Sequence, residues 1–107
     1  MAELLGAFEQ AVLLSILKLR NEAYGRAILN DVEKRLDRGV ASGAIYATLS
    51  RLEAKGLITS EVGPGTPIRD GRTRRFYVVA GGGVQALNDA RTALQKVWRG
   101  VAWPLKV

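Results

Sequence analysis

The order of hydrophobic patterns constrains the fold of this chain more than any other feature. Three helical stretches are followed by two short strand-like runs and then by a last helical stretch. In the first, residues 4–19, Leu5, Phe8, Val12, Ile16 and Leu19 recur at three- and four-residue steps, the period of one helix face. Leu4, Ala11, Leu14 and Leu17 make much of the remaining circumference apolar as well. Such a helix is expected to be covered on more than one side, and in a chain of 107 residues the second cover is expected to be another subunit.

A second helix is expected to begin near Tyr24 or Gly25, burying Ile28, Leu29, Val32 and Leu36 and turning Arg26, Asn30, Asp31, Glu33 and Lys34 outward. Gly39 is the expected left-handed cap after it. Ser42 then reads as the N-cap of a third helix over residues 43–55, with Ile45, Leu49 and Leu52 inward, Tyr46, Ala47, Ser50 and Arg51 outward, and Gly56 as its stop. Two helices, a short turn and a third helix fit a helix-turn-helix unit.

Residues 57–62 and 76–79 are rich in β-branched and aromatic side chains and read as strands. The loop between them carries turn signals at both ends and crowds Arg69, Arg72, Arg74 and Arg75 against Asp70 alone, so an antiparallel hairpin with a basic tip is expected. Residues 80–83, Ala-Gly-Gly-Gly, are expected to form a flexible hinge. Beyond it Val84, Leu87, Arg91, Leu94, Trp98 and Val101 trace a heptad seam, on a helix expected to end around Ala102 or Trp103, before Pro104. The fold class is therefore mainly α with a small β-hairpin. Residues 1–80 are expected to form a winged helix-turn-helix and residues 81–107 a dimerisation helix, together one compact unit.

Composition narrows the chemistry. The chain has neither cysteine nor histidine, which excludes disulfides, thiolate metal sites, Ser-His-Asp triads and Cys-His dyads. No paired carboxylates converge at a readable spacing, so neither an enzyme nor a metal or cofactor site is expected. Sixteen Lys and Arg against ten Asp and Glu leave a net charge of +6, which favours anionic partners such as nucleic acid, an acidic protein or a membrane surface. The longest apolar stretch, residues 11–17, is too short to span a bilayer. The N-terminus has no basic segment of the signal-peptide kind, so a cytoplasmic location without membrane attachment is the expectation.

An α-helix fits the major groove of double-stranded DNA. Ser42 and Gly43 sit at the start of the third helix, where free N–H groups can hold a phosphate. Tyr46, Ala47 and Ser50 would approach bases or sugars, and Arg72, Arg74 and Arg75 on the wing would reach the backbone or the minor groove. Each part also has a plainer reading: Tyr46 partly in the core, the arginines solvated, Ser42 a cap and nothing more. The combination is the more specific signal, because a winged helix-turn-helix places all of them on one side.

Residues 42–58, Ser-Gly-Ala-Ile-Tyr-Ala-Thr-Leu-Ser-Arg-Leu-Glu-Ala-Lys-Gly-Leu-Ile, resemble the recognition helix and the Arg-Leu-Glu and Gly-Leu-Ile signature of the PadR-like transcriptional regulators, in their short form with a single C-terminal helix. Tyr24-Gly25 is similar to that family's opening of the second helix, and residues 71–77, Gly-Arg-Thr-Arg-Arg-Phe-Tyr, to its basic wing. The resemblance implies a homodimer on a palindromic operator and, as the usual outcome, repression. It places Ser42, Gly43, Tyr46 and the wing arginines at DNA, with Arg51 and Glu53 either there or in ion pairs that position the helix. It also implies that the last helix packs near the partner's first helix, which matches the seams through Leu5, Phe8 and Val12 and through Leu87, Arg91, Leu94, Trp98 and Val101. Some short members hold flat aromatic compounds between tryptophans at the dimer centre. Trp98 is the candidate for that role and Trp103 a second, with simple packing as the plainer reading of each. Residues 80–83 depart from the family's Thr-Pro-x-Gly and lack its hydroxyl cap, so a looser junction is expected there. They also lack the lysine of a phosphate-binding P-loop. A winged-helix module for protein interaction, without specific DNA binding, is the alternative function.

Overall fold

The computed structural model describes residues 4–63 and 74–107. In chain order these form α1 (Ala7–Leu19), a 3-10 turn (Arg20–Glu22), α2 (Gly25–Leu36), α3 (Ser42–Ala54), β1 (Ile58–Val62), β2 (Arg75–Val79) and α4 (Gly81–Val97). This is the mainly helical fold with one hairpin that the patterns predict. The hairpin tip at residues 64–73, with Arg69 and Arg72, lies outside the described residues.

The core lies where α1, α2 and α3 meet one another. Val12, Leu13 and Ile16 of α1 face Ile28 and Val32 of α2 and Ile45, Leu49 and Leu52 of α3, and Ile58 closes the end from β1. Each is essentially inaccessible, so truncating one of the leucines or isoleucines to alanine costs about 2–5 kcal/mol. Leu13, on neither of the stripes read from the sequence, is fully buried, and Val12, expected at a subunit seam, is core as well. The surplus apolar surface of α1 is instead Leu14 and Leu17, both exposed. The helix starts at Ala7, later than expected, because Gly6 adopts an extended N-cap geometry and donates its N–H to the Glu9 carboxylate at 3.2 Å.

Asp31 is not on the outer face of α2. It is buried, with Arg35 Nε at 2.7 Å and Lys18 Nζ of α1 at 3.5 Å. Burial alone would raise its pKa. The neighbouring Ser15 hydroxyl, Arg35 and Lys18 outweigh that and hold the carboxyl below its ordinary value. The turn after α2 also differs from expectation, since Asp37, not Gly39, takes the left-handed conformation (φ 54°, ψ 46°). Glu33 then reaches across to accept the Val40 N–H at 2.9 Å, fixing the approach to α3. The N-cap of α3 is Ala41, with no side-chain cap bond, and Ser42 is the first helical residue.

β1 and β2 pair antiparallel, with Ile58 opposite Val79, Ser60 opposite Tyr77 and Val62 opposite Arg75. A two-stranded hairpin is marginal by itself, and here a third short edge supports it. Tyr24 bridges to Phe76, and Tyr77 donates its N–H to the Ala23 carbonyl at 2.9 Å. Residues 23–24, where the second helix is expected to begin, therefore weld the hairpin to the start of α2.

The glycine run is not a hinge. Residues 81–83 form the first turn of α4 behind an extended Ala80, whose N–H bonds the Leu57 carbonyl at 2.9 Å. Gly83 is buried, and a Cβ there would collide with that same carbonyl and lie 2.7 Å from Val79 Cγ1. The missing side chain lets α4 seat directly on the hairpin, so the junction is tight where a looser one was expected. From there Ala86, Leu87 and Ala90 pack on the core. The helix also ends earlier than expected, with Trp98 as its C-cap and Val101 beyond it.

Candidate nucleic-acid interface

Helical geometry sorts the side chains of α3. At 100° per residue, Ile45, Leu49 and Leu52 share the buried face. Gly43, Ala47, Ser50 and Ala54 share the opposite one, and all four are exposed. The outermost ridge of α3 is thus made only of small residues. Ser42 and Tyr46 flank it on one side and Arg51 on the other, all three exposed.

Tyr46 is half exposed, at 51%, so it belongs partly to each of its two readings. Its ring lies across Gly25, the first residue of α2. A Cβ on Gly25 would fall 2.7 Å from Tyr46 Cε1 and Cζ, and closer still to the hydroxyl. The Tyr-Gly pair at the start of α2 is therefore legible as packing: only glycine leaves room for the ring. One residue earlier, the Arg74 guanidinium stands 4.1 Å over the ring of Tyr24, a cation–π contact, and Phe76 meets the same ring edge-on at 5.8 Å.

A recognition-helix tyrosine and a wing-root arginine thus converge on the N-terminus of α2. The first hydrogen bond of that helix runs from the Ile28 N–H to the Tyr24 carbonyl, and Tyr24 supplies no side-chain cap. The N–H groups of residues 25–27 have no partner within the helix, and the positive end of its dipole lies there. Gly25 itself is buried beneath the Tyr46 ring, so a phosphate there would have to be met by residues 26 and 27.

The remaining predicted residues have structural ties. Arg51 leans toward α1, with Nη2 3.3 Å from Thr48 Oγ1 and Nε 3.9 Å from Glu9, which Lys55 also approaches at 3.7 Å. Glu53 accepts the Ser60 hydroxyl at 2.7 Å, and Arg75 Nη1 donates to the same oxygen at 3.0 Å. This chain ties the last turn of α3 to both strands. Tyr77 is pushed above the usual phenol pKa by burial, with Glu53 and Tyr46 adding to the effect against Arg75. Sequence reasoning missed the Tyr24–Arg74 stack, although an aromatic before glycine and arginines before Phe76 were its visible parts.

Of the residues expected at a subunit seam, Leu5 and Val12 are buried within the chain and Phe8 and Leu87 partly so. Arg91, Leu94, Trp98 and Val101 are exposed, with Val101 off the helix. Trp98 is 36% exposed at the end of α4 and Trp103 is 79% exposed beyond it. Among the described residues no helix is long and apolar enough to cross a membrane, and no group of three or more metal-ligating side chains gathers.

The sequence profile of the transcriptional regulator PadR-like family matches residues 13–89. Over 81 residues the chain is 38% identical to "Transcriptional regulator Rv3488" of Mycobacterium tuberculosis, covering 76% of this chain and 71% of that protein. A PadR family transcriptional regulator from Eggerthella lenta superposes with a TM-score of 0.65 at 26% identity, covering 84% of this chain and 76% of that one. A PadR-like transcriptional regulator from Bacillus cereus shares the fold, with a TM-score of 0.68 at 24% identity over 86% of this chain and 84% of that one.

Proposed function

The chain belongs to the transcriptional regulator PadR-like family, and from that premise we propose that it is a sequence-specific repressor that binds a palindromic operator in double-stranded DNA as a homodimer. Its class of activity is transcriptional regulation, not catalysis. The observation that carries the finer reading is the convergence of Tyr46 and Arg74 on the uncapped start of α2. A phosphate there would fix the register of the protein on the duplex, while the exposed ridge of α3 enters the major groove. Ser42 and Gly43 hold a second phosphate at the start of α3, and Arg72, Arg74 and Arg75 add wing contacts. Arg51 acts chiefly as a positioning residue.

The second copy docks through the exposed side of α4, with Arg91, Leu94 and Trp98 and the uncovered edge of Leu87, near Phe8 of α1. A flat aromatic effector stacked on Trp98 would change the spacing of the two heads, and it would do so only to the extent that it binds one spacing better than the other. Selection from random duplexes followed by footprinting tests the whole reading. Two half-sites related by a two-fold axis, about 34–36 Å apart, are the expected result. Recovery of no enriched sequence, with retention on DNA lost at physiological salt, would refute it and favour a protein-interaction module.

A further inference from the structure

Arg74 and Phe76, two residues apart, both meet the ring of Tyr24, the first over its face at 4.1 Å and the second edge-on at 5.8 Å. Side chains along a strand alternate between its faces, and Arg75 between them turns the other way, giving Nη1 to the Ser60 hydroxyl at 3.0 Å. The backbone under Arg74 is fixed as well. Its carbonyl accepts the Gly63 N–H at 2.7 Å, which closes the hairpin at the root of the wing. A Cβ on Gly63 would lie 2.6 Å from Phe76 Cδ1, so glycine leaves the Phe76 ring its place against Tyr24. Tyr24 is anchored from its own side, bridging to Phe76 while its carbonyl accepts the Ile28 N–H and opens α2. Its ring is therefore a platform held by α2, and the next residue, Gly25, is the one that carries the Tyr46 ring of α3.

We propose that Tyr24 is a positioning residue for DNA binding: its ring holds the Arg74 guanidinium aligned for a backbone phosphate and keeps the root of the wing in register with α3. What stacking leaves over carries the argument. A guanidinium laid on an aromatic face uses its flat surface and keeps the N–H groups at its edge for an anion. An arginine with no such platform loses rotamer freedom when it meets a phosphate, whereas one already stacked has lost much of it on folding. The wing root and the recognition helix also rest on adjacent residues, Tyr24 and Gly25, so a single turn of backbone sets the distance between them. The proposal rests on the DNA-binding reading and adds to it a residue that acts through Arg74 without touching the duplex.

Fluorescence anisotropy titrations over a range of salt test this with a labelled duplex of mixed sequence, which serves because a phosphate contact does not depend on the bases. Y24L keeps apolar bulk against Phe76 but offers no face. It should raise the dissociation constant about two- to tenfold and leave the salt slope unchanged, because Arg74 keeps its charge. R74A should raise the constant and also lower the slope by ~0.9. R74K, with the charge but not the planar fork, should behave as Y24L does, and Y24F, which keeps the ring, should restore binding. In the R74A background Y24L should add nothing. A loss of equal size in both backgrounds shows Tyr24 acting through the fold and overturns the proposal, as does Y24F binding no better than Y24L. Where Y24L does not fold, R74K decides, and binding like the parent overturns the proposal. R74A with the parent's affinity and slope overturns it while leaving the other DNA contacts in place, whereas a parent chain that leaves the duplex unbound even at low salt overturns the DNA-binding reading itself.

Discussion

Gly83→Ala tests the seating of α4 on the hairpin. The new methyl group would run into the Leu57 carbonyl and approach Val79 Cγ1 at 2.7 Å. That carbonyl cannot retreat freely, because it accepts the Ala80 N–H at 2.9 Å and so ties the entry of α4 to the start of β1. Overpacking of this kind costs ~1–3 kcal/mol, against which alanine returns about 0.5–1 kcal/mol of helix preference. The net loss is then at most about 2.5 kcal/mol and about 1 kcal/mol at mid-range, where the melting temperature falls by roughly 4–8 °C for a domain of this size. Gly81→Ala is the matched control, since nothing lies within 4 Å of a Cβ there and the same helix preference stabilises it by about 0.4–1 kcal/mol. Thermal melts followed by circular dichroism at one fixed protein concentration should move the two variants in opposite directions. If Gly83→Ala melts with Gly81→Ala at or above the parent, α4 does not rest on the Leu57 carbonyl and the tight junction is wrong.

Gly25→Ala should push the Tyr46 ring off the start of α2, lowering affinity for operator DNA about tenfold or more, since one good base contact is worth ~1–3 kcal/mol. Equal losses on operator and random duplexes would place Tyr46 in the fold rather than in recognition. Arg74→Ala and Arg75→Ala should each flatten the salt dependence of binding by ~0.9 in the log–log slope if the side chain meets a phosphate, read by fluorescence anisotropy, and an unchanged slope removes that arginine from the interface. Asp31 has a depressed pKa, so its stabilisation is complete above the ordinary carboxylate value of ~3.9 and is lost as pH falls through the lower folded value. Asp31→Asn should therefore be less stable than the parent by about 1–3 kcal/mol at neutral pH, the gap closing in acid; a gap independent of pH in urea titrations would sink the ion-pair account.

The helices, the hairpin and the outward set on α3 were legible because periodicity reports which side of an element is buried. Ile45, Leu49 and Leu52 sit at helical spacing, and so do the side chains facing away from them. The errors share another cause. Asp31 reads as solvated until Lys18 and Arg35 arrive from either side, and the partner on α1 is thirteen residues away. Three consecutive glycines read as slack, yet Gly83 is required by a carbonyl that only the folded chain brings near. Val12 reads as one more apolar position on a helix greasy all round, and which of those positions α2 and α3 cover is decided by tertiary packing. Gly39 and Asp37 compete for the same turn, and local preference favours the glycine while the geometry of the turn selects the aspartate.

The ridge of Gly43, Ala47, Ser50 and Ala54 has a consequence for how much information the protein can extract from an operator. It bears one hydroxyl and otherwise nothing that donates or accepts beyond the backbone, so it has few means of telling one base edge from another. What it offers is proximity, because small residues let the helix axis sink deep into a groove. If α3 enters the groove as proposed, discrimination falls to Tyr46 and to the bending and groove width of the duplex itself. A regulator built in this way tolerates drift in the letters of its sites more readily than drift in their shape.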